Sequence, residues 1–225
     1  GWRRSCDGRG MAGDAAVRGA MNLYERYLLP TLVHRTCSSA TTTSQRAKVV
    51  PLARGDVLEV GFGSGLNLPF YDPAKVTKLW GLDPSPELCR MASRAVRDAA
   101  FDVELVPARG EEIPLEDGQF DTVVITYTLC SIADPARGLQ EMARVLKPDG
   151  RLIFCEHGVA PDAAVRRWQS RLTPLWRHVS GGCHLDRDVP ALLEEAGFEI
   201  TTLETAYLPG WRVAGYQYCG TAAPR

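Results

Sequence analysis

The feature that most constrains this chain is a short apolar strand, Asp56 to Val60, running straight into Gly61-Phe62-Gly63-Ser64-Gly65. Glycine bends the backbone through conformations that a Cβ forbids and lets a ligand approach the main chain. Strand, tight glycine turn and a helix opening at Leu66 to Phe70 form the grammar of a phosphate or nucleoside site, although an ordinary strand-to-helix turn satisfies the same letters. A dinucleotide loop of the G-x-G-x-x-G type needs glycine at 66, where this chain has Leu66. Glu59, acidic inside an apolar strand, suits a cationic ligand better than a diphosphate, or else binds local amides.

The pattern around this loop is an alternation. Lys78 to Asp83 reads as the next strand, Ser85 to Ala99 as an amphipathic helix capped by Ser85, and Asp102 to Val106 as a third strand. Asp121 to Thr126, nearly all β-branched, reads as a buried mid-sheet strand; Pro135 to Leu146 follows as a helix, Lys147 to Gly150 as a turn and Arg151 to Cys155 as a strand. Ala160 to Arg177 reads as a helix split near Pro174, and Val189 to Ala196 as a helix stopped by Gly197. Glu199 to Tyr207 and Trp211 to Tyr218 read as a closing antiparallel pair. The result is an α/β fold with a doubly wound sheet of seven strands, mainly parallel, with ligands expected beyond the carboxyl ends of the strands. Upstream, Asn22 to Lys48 reads as two helical pieces interrupted by Pro30, on which Tyr24 and Tyr27 could close as a lid.

Composition narrows the class. A chain of 225 residues with 45% apolar and 24% charged residues folds as one ordinary domain without staples. Net charge is −1 with scattered Lys and Arg, so a nucleic-acid partner is disfavoured. Seven cysteines form no C-x-x-C pair and their number is odd, which points to reduced thiols and a cytoplasmic location. No apolar run approaches the roughly 20 residues of a membrane span. Residues 1–20 read as a flexible leader, 21–50 as the helical lid and 51–225 as the catalytic domain.

Asp83 ends the second strand, where a carboxylate accepts two hydrogen bonds from a ribose diol or simply caps the next helix. Together with the glycine loop it is more specific than either part. Further on, Arg109-Gly110-Glu111-Glu112-Ile113-Pro114 and Phe120-Asp121 could hold an adenine ring, or form a charged surface loop. These motifs, with Asp83-Pro84-Ser85 and Leu146-Lys147-Pro148-Asp149-Gly150, resemble the successive motifs of class I S-adenosylmethionine methyltransferases, over about Asp56 to Glu156. The resemblance implies a Rossmann-like domain that binds S-adenosylmethionine and releases S-adenosylhomocysteine. It implies cofactor contacts from Glu59, Gly61, Phe62, Gly63, Gly65, Asp83, Pro84, Gly110, Glu111 and Tyr127. Arg109 departs from it, standing where many relatives carry an Asp for the adenine amine.

A narrower likeness covers Thr126 to Ser131, Cys155-Glu156-His157 and Gly181-Gly182-Cys183-His184-Leu185, which look similar to the branch that includes animal thiol methyltransferases. It implies a small thiol or other apolar acceptor; the same core is also similar to quinone and lipid methyltransferases. The sulfonium makes methyl electrophilic already, so alignment and water exclusion are the protein's main tasks. His157, His184 and Tyr127 are the catalytic candidates, each with a plain packing role as its alternative. Convergence of Cys130, Cys155 and Cys183 on a soft metal fits no local motif, so the expectation is inert thiols and no metal. A nicotinamide oxidoreductase and a non-catalytic cofactor-binding module are the rival classes. Peripheral membrane contact around Trp211 and the oligomeric state stay open.

Overall fold

The computed structural model describes residues 28–225. The expected leader, Tyr24, Tyr27 and the first residues of the expected lid lie outside the described residues. Two helices open the described chain, α1 (Leu29–Cys37) and α2 (Ala40–Val49). The break falls at Ser38-Ser39 rather than at Pro30: Pro30 lies in the first turn of α1, where its missing N–H costs nothing, and Ser39 caps α2 by accepting from the Thr42 amide at 3.4 Å.

The sheet has seven strands: β1 (Gly55–Val60), β2 (Val76–Leu82), β3 (Asp102–Val106), β4 (Phe120–Thr126), β5 (Leu146–His157), β6 (Phe198–Tyr207) and β7 (Tyr216–Pro224). Their order is β3-β2-β1-β4-β5-β7-β6, and only β7 runs antiparallel to its neighbours. The chain therefore walks outward from β1 to β3, then returns to place β4 on the other side of β1. That reversal opens a crevice beyond the carboxyl ends of β1 and β4. Helices α3 (Pro86–Arg97), α4 (Pro135–Val145), α5 (Ala163–Val179) and α6 (Val189–Glu195) complete the layers. Alternate residues feed two cores: Leu58, Val123 and Phe154 on one face, Val57, Val124 and Ile153 on the other, all fully buried.

Four local expectations are corrected. Leu66 to Phe70 does not open an α-helix; Leu68–Phe70 makes one 3-10 turn, because Pro69 and Pro73 strip donors from the segment and bias the residues before them away from helix. Helix α5 runs through Pro174 unsplit, since Pro174 and Ser170 are both exposed and water can meet the freed carbonyl. Lys147 to Gly150 belongs to β5 as an irregularity, with the register jumping from Phe120↔Leu146 to Thr122↔Arg151. The last strand starts at Tyr216, because Arg212–Ala214 form a 3-10 turn and the Trp211 ring packs on Trp176 at 5.4 Å instead of entering the sheet.

Candidate active site

The glycine loop and Asp83 meet. Gly61, Gly63 and Gly65 all have positive φ, at 76°, 57° and 77°. Asp83 Oδ2 accepts the Gly63 amide at 2.8 Å and Oδ1 accepts the Ser85 amide at 2.8 Å, so the carboxylate locks the loop while keeping further lone pairs. Burial raises its pKa, against the two amide bonds. A Cβ on Gly61 would lie 2.1 Å from Thr128 Oγ1, whereas one on Gly63 meets nothing nearer than the Gly61 carbonyl at 3.8 Å. Gly61 therefore makes room for the protein and Gly63 for a ligand. An open face at Gly63 beside a carboxylate with spare acceptor capacity fits a ribose diol, so the residues present fit the expected cofactor.

Other members of the expected set have different surroundings. Phe62 turns its ring into the core beneath Gly81, where a Cβ would come within 2.6 Å of it. Pro84 is exposed beside Asp83. Gly110 is buried close to Val60, and Glu111 Oε1 accepts the Ala133 amide at 2.8 Å, tying this loop to the start of α4. Arg144 on α4 fixes the same loop by donating to the Ile113 and Leu115 carbonyls at 2.9 and 3.0 Å. Arg109 is exposed.

Glu59 is 2% exposed and both its oxygens are engaged, by Asn67 Nδ2 at 3.0 Å and by the Tyr71 hydroxyl at 2.6 Å. Burial pushes its pKa up to about 7, opposed by those two hydrogen bonds and by the Arg46 charge. Arg46, buried on α2, donates to Asn67 Oδ1 at 2.8 Å and to the Thr126 hydroxyl, and its guanidinium lies 5.0 Å from the Tyr127 ring centroid. This network pins the N-terminal helices to the ends of β1 and β4. His34 on α1 adds a contact from Nδ1 to the Ser64 hydroxyl at 2.7 Å, directly on the glycine loop.

Beyond β4 the chain turns at Tyr127, whose φ of 55° is the one positive value outside glycine among the described residues. The turn delivers the Thr128 and Leu129 amides to the buried carboxylate of Glu156, at 2.8 and 3.1 Å. Desolvation raises Glu156 to about 7 despite those amides. Next to it His157 Nε2 faces Cys183 Sγ at 3.3 Å, with Cys130 close by. The neighbouring Cys130 sulfur, and after it the His157 imidazole, pull the Cys183 thiol down to about 4 against its burial. Burial alone would lower His157, but the Cys183 sulfur carries its pKa upward; its Nδ1 is buried with no partner among the described residues. Arg187 donates to the Leu129 and Ile132 carbonyls, bracing the loop that carries Cys130. His184 joins the assembly through its backbone, its amide donating to the Cys130 carbonyl at 2.8 Å; its ring is held below the usual pKa by burial and Arg187. Cys155 stands elsewhere, its sulfur 3.0 Å from that of Cys219 across the β5–β7 pair.

Residues 58–154 match a family model described as a methyltransferase domain. The chain is 36% identical over 172 residues to the rat protein Thiol S-methyltransferase TMT1B, covering 74% of this chain and 69% of the relative. The chain belongs to the class I S-adenosylmethionine-dependent methyltransferases. This methyltransferase is also 36% identical over 107 residues to the Ubiquinone/menaquinone biosynthesis C-methyltransferase UbiE of Citrifermentans bemidjiense, covering 45% of each chain. Among solved structures, a Bacillus halodurans protein provisionally described as a methyltransferase aligns with TM-score 0.68 at 19% identity, covering 81% of this chain and all of that one, which shows the shared fold. The enzyme's cofactor is accordingly S-adenosylmethionine.

Reading the sequence missed Arg46, Asn67 and His34. A carboxylate buried in a strand requires donors, so Glu59 was the signal that polar partners had to exist; nothing in the spacing said that α2 would supply them.

Proposed function

We propose that this enzyme transfers the methyl of S-adenosylmethionine to the sulfur of a small apolar thiol. The observation that carries the reading is the Cys183–His157 contact at 3.3 Å, beside Cys130, at the strand ends next to the glycine loop. Surroundings that accommodate a sulfur in contact with an imidazole and near the Arg187 guanidinium also accommodate an acceptor sulfur on its way to thiolate. The similarity to Thiol S-methyltransferase TMT1B, over most of the chain, supports the same acceptor class.

Bound cofactor supplies an electrophilic methyl. Asp83 and the Gly63 face hold its ribose, and the braced loop at Gly110 and Glu111 borders its base. Tyr127, fixed in its turn by the bond from its amide to the Cys155 carbonyl at 2.9 Å, closes the site between cofactor and acceptor. Helix α1, touching the glycine loop through His34, acts as cover and excludes water. His157 acts at the acceptor sulfur, and His184 positions the Cys130 loop rather than meeting the acceptor. Among the described residues no helix is long and apolar enough to cross a membrane, and the odd number of cysteines with no C-x-x-C pair supports reduced thiols in a cytoplasmic setting.

Quinol methylation is the second reading, favoured by the UbiE similarity over a shorter stretch. A panel of thiols, quinols and phospholipids incubated with methyl-labelled cofactor separates the two. Label in apolar thiols with little in quinols is expected; preferential quinol labelling overturns the reading.

A further inference from the structure

Cys130, His157 and Cys183 come from three separate segments, the turn after β4, the end of β5 and the loop after α5, yet one donor atom from each lies within 4.8 Å of the other two. We propose that these three side chains bind a zinc ion and leave its fourth coordination position for an exogenous sulfur ligand. Two thiolates and an imidazole are a donor set that zinc prefers, and three protein ligands with one open position is the pattern of reactive rather than structural zinc sites. A tetrahedral zinc, with metal–ligand bonds of about 2.0–2.3 Å, sets its donors about 3.5–3.8 Å apart, so a pair at the 4.8 Å limit closes by about 1.0–1.3 Å. Two thiolates balance the charge of the ion, which removes the cost of enclosing it.

Hydrogen bonds to main-chain groups hold the three segments to one another. The His184 amide donates to the Cys130 carbonyl, joining the two cysteine-bearing segments. Glu156 accepts the Thr128 and Leu129 amides beside Cys130, and Arg187 spans from its own loop to the Leu129 and Ile132 carbonyls. Gly181 and Gly182, at φ 67° and 86°, turn the chain so that Cys183 enters from the α5 side. A donor set on such a frame is organised before the ion arrives. The Cys155–Cys219 pair offers a contrast: its sulfurs are closer, at 3.0 Å, but they sit between paired strands and belong to no three-donor group.

Use of the open position by the acceptor rests on the thiol reading above. The acceptor S–H loses its proton to solvent as its sulfur coordinates, because a coordinating thiol is deprotonated at neutral pH. A sulfur lone pair then forms the new S–CH3 bond while the methyl–sulfonium bond breaks, its electron pair remaining on S-adenosylhomocysteine. The thioether product is a weaker ligand and leaves. His157 in this arrangement is a ligand rather than a base.

The test uses the full chain, purified under reductant and buffer-exchanged, with zinc measured by mass spectrometry and Co2+ substituted as a spectroscopic probe. About one zinc per chain is expected, with thiolate-to-cobalt absorption in the near ultraviolet. Cys130→Ser and Cys183→Ser each lose most of both signals, and Cys219→Ser keeps them. A folded wild-type chain that retains no zinc and shows no cobalt bands overturns the site, as does full retention in the Cys183→Ser variant. Adding a small thiol should shift the cobalt spectrum. Methylated thiol formed without any spectral shift overturns the open position and leaves the thiol reading intact; a shift with no methylated thiol supports the site and counts against that reading.

Discussion

The two ends of this active site are built in opposite ways. On the β1–β2 side, the proposed cofactor contacts are made by backbone and nearby sequence: three positive-φ glycines and one carboxylate that accepts a loop amide. On the β4–β5 side the proposed acceptor site is made by side chains brought from the β4 turn, the end of β5 and the loop after α5. The first kind of site tolerates almost no change at its glycines, while the second can change chemistry without disturbing the fold. One scaffold can thus keep a cofactor and vary its acceptor.

The largest effect that can break this contrast lies at Gly61. Gly61→Ala places a Cβ 2.1 Å from Thr128 Oγ1 at φ 76°, so it should cost about 3–5 kcal/mol of stability, from left-handed strain plus overlap. Gly63→Ala meets no neighbour nearer than 3.8 Å and should cost about 1 kcal/mol of stability while abolishing cofactor binding. Denaturant melts with and without S-adenosylhomocysteine read both; equal destabilisation of the two variants would remove the distinction between room for protein and room for ligand.

A smaller effect is expected at His157. His157→Asn should lower turnover about 100-fold, or about 2.7 kcal/mol, through the acceptor alone. Stopped assays and cofactor titration on one preparation check this, and a parallel loss of cofactor affinity would mean that the two ends are not separable.

The smallest is a pH effect on the cofactor side. Burial raises the folded pKa of Glu59 to about 7 from the ordinary 4.5, so its folding contribution is fully present below about 4.5 and declines as pH rises through 7. Between pH 6 and pH 8 this should remove about 1 kcal/mol of stability. Glu59→Gln should flatten that slope in urea melts; an unchanged slope would assign the titration elsewhere.

This difference in construction also explains what the sequence disclosed. Glycines 61, 63 and 65 and Asp83 were legible because backbone requirements leave marks in adjacent letters, and six strands followed from apolar period and turn chemistry, while the last was placed too early, at Trp211 to Tyr218 instead of Tyr216–Pro224. The helix expected at Leu66 failed because apolar pattern was weighed above Pro69 and Pro73. The grouping of Cys130 and Cys183 with His157 was not legible: it depends on which strand ends the topology brings together, and Cys155, weighed with those two cysteines and set aside as an inert thiol, lies instead against Cys219. Arg46 was hidden for the same reason, being one of two cations on a weakly patterned helix, the one that tertiary packing buries to 5% exposure.

Calorimetric titration of S-adenosylhomocysteine into the wild-type chain, Asp83→Ala and Cys183→Ser tests the division most directly. The account predicts similar affinity for wild type and Cys183→Ser, with at least about a tenfold loss in Asp83→Ala, equivalent to the buried hydrogen bonds removed. Unchanged binding by Asp83→Ala, or binding lost in Cys183→Ser, would contradict it.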